Sequence, residues 1–259
     1  MKMPDTEGYI PEAPTGDIAP PFRAVVTAVI NGLTQRQGDL IHSLYLYGSV
    51  AQGTAKVGVS DLDICIILSR PASEAERQAL EAVRRETEAT HQAVSKIDFD
   101  IGTLSVALHP NHLYSWGYWL KHHCRCLYGD DLARRFPPFR PSRKIAQAIN
   151  GDVVAVLQSY IRQLAAMDSL PARRPLQRAA ARKLIRATNL LRSDEERDWP
   201  DTLEAHAARF LARYPARAEE IGYFLRESYH PEDDAGRFVA RLETFMAWLA
   251  DASRDDPPA

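Results

Sequence analysis

Every run that reads as a β-strand lies before the stretch RRFPPFRPSRK (134–144), and none lies after it. Its three prolines remove backbone donors and fix φ, so neither a strand nor a helix continues through it. A 259-residue chain divided in this way is expected to fold as α+β. A mixed sheet flanked by helices would occupy 21–140 and an all-helical bundle 141–252. Residues 1–20 carry four prolines and little apolar pattern, which predicts an irregular arm, and 253–259 read as a tail.

Within the first half, PFRAVVTAVINGLTQRQ (21–37) has helical apolar spacing with Pro in its first turn. IHSLYLYG (41–48) alternates and is aromatic-rich, DLDICIIL (61–68) ends as a continuous apolar run, and KIDFDIGTLSVAL (96–108) alternates again, so all three read as strands. A helix is expected within 69–94 and another over 111–123, with a short unassigned segment at 124–132. Beyond 144, helices are expected near 142–168, 175–193, 201–213, 215–229 and 233–252, each boundary marked by a proline-containing stretch.

Net charge is −2, which argues against a polyelectrolyte binder, yet the charge is uneven. From Arg140 to Arg192 there are eleven Lys or Arg against Asp152 and Asp168, and from Ser193 onward sixteen Asp or Glu against eight Arg. A basic middle suits a polyanionic ligand, and a solvated helix face explains it equally well. Arg178, Arg182 and Arg186 fall on one helical stripe with Lys183 beside it, which makes Lys183 a candidate nucleotide contact. Of the three cysteines, Cys65 sits in an apolar run. Cys124 and Cys126 next to His122 and His123 lack a second pair at zinc-site spacing. With no apolar leader and no run of membrane-spanning length, a cytoplasmic protein without membrane partners is expected.

The chemistry concentrates in YGSVAQGTAKVGVSDLD (47–63). On a strand, Asp61 and Asp63 share one face and lie roughly 6.5 Å apart. Asp98 and Asp100 repeat the arrangement. If the two strands are neighbours, three or four carboxylates meet on one patch and require a cation, for which Mg²⁺ with its oxygen preference is suited. Gly48 allows backbone to pass close to a ligand, and the N–H groups that follow it, with the Ser49 hydroxyl, could hold phosphate oxygens.

Gly48-Ser49 at a strand end, then Ser60-Asp61-Leu62-Asp63-Ile64 and a third acid on a later strand, resembles the signature of the DNA polymerase beta-like nucleotidyltransferase superfamily. The strand-and-helix half followed by a helical half is similar to the two-domain aminoglycoside nucleotidyltransferases. The resemblance implies the nucleotidyltransferase-type sheet, and two Mg²⁺ ions held by Asp61, Asp63 and a third acid. That third acid would be Asp98 or Asp100, and the family pattern favours Asp100. It also implies NTP phosphates at Gly48 and Ser49, and transfer of an NMP group to an acceptor hydroxyl, with a small antibiotic-like molecule preferred. Two alternatives stay open: modification of a protein or of tRNA, with nucleic acid not favoured because no aromatic-basic ladder is present, and a non-catalytic nucleotide-binding module.

Overall fold

The computed structural model describes residues 5–167, 169–232 and 234–254. Residues 1–4 of the expected arm and 255–259 of the expected tail lie outside the described residues. The chain divides into two compact units, Pro11–Phe139 on one hand and Arg140–Ala259 with Met1–Ile10 on the other.

The first unit is built on a four-stranded mixed sheet of order β3-β2-β1-β4, with β1 Ile41–Tyr47, β2 Leu62–Leu68, β3 Ile97–Thr103 and β4 Arg125–Gly129. β1 runs antiparallel to β2 and β4, and β2 runs parallel to β3. Strand alternation gives the sheet two unlike faces. Leu44, Leu46, Leu62, Ile64, Ile66, Leu68 and Ile97 are buried together with Val25, Val29 and Leu33 of α1 (Pro20–Gln37) and with Leu80 and Val83 of the long helix Glu74–Thr90. That long helix begins with a capping box, in which Ser73 and Glu76 satisfy each other's backbone N–H. On the opposite face, which carries the aspartates, Tyr45, Cys65 and Ile67 are buried with Ala107, Leu120, Cys124 and Leu132 laid over them.

Three expectations in this unit are corrected. The third strand ends at Thr103, whose hydroxyl caps the short helix Leu104–Ala107, so 104–108 are not strand. The single helix expected over 111–123 is a 3₁₀ turn (Pro110–His112), a π-helical turn (Leu113–Gly117) and a short α-helix (Tyr118–His122). Irregular winding seats Trp116 against Gly102, where any Cβ would collide with the indole, and Gly117 against Phe136. The segment 124–132, left unassigned, supplies β4, a short edge strand that Gly129 ends at φ +76°. Before Pro20, where α1 begins, the described arm residues carry no helix or strand. Within this unit the arm is tied down by the Glu12–Lys121 ion pair and by Pro11 O, which accepts from His122.

The second unit is helical: α-helices cover Arg143–Asn150, Val153–Ala165, Leu170–Ala187, Leu203–Arg213, Ala218–Glu227 and Ala235–Arg254. The helix expected over 142–168 breaks at Gly151-Asp152, and the one expected from 175 starts at Leu170, with Pro175 inside it. Leu157, Leu184, Ile185, Phe210, Phe224, Phe238, Leu242 and Phe245 form its core. Arg192 is 1% exposed, lies 4.7 Å over the Trp199 ring and donates to Glu196 O and Asp198 O. No described helix is long and apolar enough to cross a membrane.

Candidate active site

Strand register assembles the site. β1 and β2 pair Tyr47 with Asp63, and β2 and β3 pair Asp63 with Asp98 and Cys65 with Asp100. Pairing keeps side chains on a common face. Tyr47, Asp63 and Asp98 therefore form one row across the sheet, with Asp61 a strand step to one side and Asp100 a step to the other. The sequence led to an expectation of three or four carboxylates on one patch; the register sets all four on one face of the sheet.

The turn after β1 is shaped around Asp63. Gly48 has φ +70°, in the left-handed region, and a Cβ there would run into Asp63 Oδ2. Only glycine meets both demands at this position. Gly48–Ala51 makes one helical turn. Gly48 thus lies against Asp63, one of the acid pair.

Each acid has a different environment. Asp61 Oδ1 accepts from Ser95 Oγ at 2.6 Å, and its Oδ2 lies 3.5 Å from Lys96 Nζ. Asp98 Oδ2 lies 2.6 Å from the same ammonium. Burial works against the charge on Lys96, but Asp98 and Asp61 more than offset it, so its pKa is raised. Asp100 accepts from the Tyr47 hydroxyl, and burial together with that carboxylate raises the tyrosine pKa. The Tyr47 ring also meets Trp119 edge-on at 4.9 Å. Asp63 is half-buried and has no cation in ion-pair distance among the described residues. Burial first, then the charges of Asp61 and Asp98, push its pKa up to about 6.

The donor set is carboxylate oxygen throughout, which fits a hard divalent ion. Burial first, and the neighbouring carboxylates after it, disfavour the charged form of Asp63. Among the described residues no three Asp, Glu, His or Cys side chains converge at metal-holding distance. Lys96 draws Asp61 and Asp98 to itself, and Tyr47 holds Asp100. Three residues of this constellation were not singled out in the sequence: Tyr47, Ser95 and Lys96. Lys96 was findable, since it alternates in phase with Asp98 and Asp100. In the helical unit, Lys183 Nζ is held by Asp152 Oδ1 at 2.8 Å and by Ile149 O at 3.2 Å.

Residues 27–104 match the family model described as a nucleotidyltransferase domain. The fold is similar to that of a spectinomycin adenyltransferase from Enterococcus faecialis, solved with ATP and spectinomycin. The TM-score is 0.61 at 14% identity, covering 88% of this chain and 98% of that one. No curated protein sequence matches the chain. The matched span runs from α1 through β3 and contains Gly48, Ser49 and all four aspartates, so residues 27–104 of this chain are a nucleotidyltransferase domain.

Proposed function

We propose that the protein transfers an NMP group from an NTP, ATP in the first instance, to a hydroxyl of a small antibiotic-like acceptor. The observation that carries this reading is the row of carboxylates on one sheet face, with the Gly48 backbone pressed against Asp63. Asp63, which has no cation in ion-pair distance among the described residues, would hold divalent metal, which when bound supplies charge neutralisation at the phosphates.

The chain's own groups do the rest. Backbone N–H groups after Gly48 and the Ser49 hydroxyl hold phosphate oxygens that develop charge. The acceptor oxygen attacks the α-phosphorus, the bond from that phosphorus to the bridging α–β oxygen breaks, and pyrophosphate leaves with the electron pair. The hydroxyl proton passes to a carboxylate acting as base. Asp98 is better supported for that role than Asp100, because it stands beside Asp63 in the register. Asp100 stands beside Cys65 and is engaged by Tyr47.

The test is incubation of the purified protein with α-labelled ATP, Mg²⁺ and a panel of aminocyclitol and aminoglycoside antibiotics that includes spectinomycin. A labelled AMP adduct with equimolar pyrophosphate, absent in Asp63→Asn, is the expected result. No adduct with any NTP on any acceptor would refute the proposal. Label appearing in protein or RNA when cell lysate replaces the panel would move the acceptor to a macromolecule.

A further inference from the structure

Positive charge is distributed unequally among the aspartates. Lys96 Nζ touches Asp98 at 2.6 Å and approaches Asp61 at 3.5 Å. Its backbone is fixed opposite them, since Leu62 N–H donates to Lys96 O and Ser95 N–H to Ser60 O, each at 3.0 Å. The remaining oxygen of Asp61 accepts from Ser95 Oγ. Asp63, in the register beside Asp98, has neither a cation nor a hydrogen-bond donor on its carboxylate among the described residues, and it faces Gly48.

We infer that Lys96 is a tethered cation standing between Asp61 and Asp98 where one of two metal ions would bind, so that the site works with a single divalent ion, held at Asp63 beside the phosphate-holding turn. This rests on the nucleotidyl-transfer reading and departs from the two-ion arrangement that the family resemblance implies. Two metal ions in such sites lie roughly 3.5–4 Å apart and share their carboxylates. An ammonium already in contact with two of those carboxylates repels a second divalent ion and takes up the oxygens it would need. Lys96 supplies the positive charge but no coordination position. An acceptor hydroxyl near it is therefore not acidified by metal ligation.

The experiment counts Mn²⁺ bound per chain at saturating α,β-methylene ATP, by electron paramagnetic resonance of free Mn²⁺ and by calorimetry. Wild type and Lys96→Arg are expected to bind one ion, and Lys96→Met two. Lys96 is exposed, so the substitution leaves the core untouched. Circular dichroism checks this, and Lys96→Gln serves as a second neutral variant. Two ions in wild type, or one in both neutral variants, overturns the inference while leaving nucleotidyl transfer standing. Failure of wild type to bind the analogue with any Mn²⁺ removes the functional reading itself, and the inference with it.

Discussion

Asp63→Asn should make the protein more stable while abolishing transfer. Asp63 carries a pKa of about 6 against an ordinary 3.8 because it is half-buried beside two other carboxylates. The folded state therefore binds its proton more tightly than the unfolded chain does. Below the unfolded pKa both states are protonated and nothing is lost. As pH rises through the folded pKa the carboxylate ionises in an unfavourable place and the penalty becomes complete. A factor of ten in proton affinity is worth about 1.4 kcal/mol, so the gap sets an upper bound of roughly 3 kcal/mol. Part of the group reaches water, which leaves roughly 1–2 kcal/mol. Asparagine has nearly the same shape and no charge at any pH. The variant should melt within about 1 °C of wild type at pH 4 and roughly 3–8 °C higher at pH 8. Scanning calorimetry at both pH values measures this. Millimolar Mg²⁺ with nucleotide should narrow the gap at pH 8, because metal neutralises wild-type Asp63 and has no carboxylate to bind in the variant. A variant no more stable than wild type at pH 8, or a gap that does not change with pH, refutes the reasoning.

Gly48→Ala combines a left-handed backbone with a Cβ against Asp63. It should cost about 1–3 kcal/mol in urea denaturation and lower pyrophosphate release by about 100-fold or more. Activity within threefold of wild type would show that the turn does not shape the site. Asp98→Asn should reduce kcat by roughly 10²–10³ while Asp100→Asn costs at most about tenfold; the reverse order in single-turnover assays would return the base to Asp100. Lys183→Met, if the nucleotide-contact expectation holds, should raise the KM for ATP several-fold with kcat unchanged. The lost Asp152 pair should cost under about 1 kcal/mol in thermal melts. An unchanged KM assigns Lys183 to its contacts with Asp152 and Ile149.

How much of this fold could be read in advance depended on whether a local signal had to compete with packing. β1 and β2 announced themselves because alternation and apolar continuity are properties of neighbouring residues. β4 did not. Its five residues, RCLYG, are too few for alternation to register, and the strand exists because β1 offers Tyr45 and Leu46 as partners to Cys126 and Arg125. The helix expected over 111–123 failed for a related reason: Trp116 is drawn to the space left by Gly102, fourteen residues earlier, and the backbone winds irregularly to deliver it.

The site was legible to the same depth and stopped at the same barrier. Alternation placed Asp61 with Asp63, and Asp98 with Asp100, because side-chain direction along one strand is local. Which of Asp98 and Asp100 stands beside Asp63 is a question of register between two strands separated by 28 residues, and no spacing within either strand answers it. The parallel pairing of Asp63 with Asp98 answers it. Lys96 then changes what the pairing means. A carboxylate row alone asks for as many cations as its charge requires, whereas a row with an ammonium built in at one end asks for fewer. Since Lys96 lies in phase with Asp98 and Asp100, strand periodicity that identifies the acids should be scanned for basic residues on the same face before a number of metal ions is inferred.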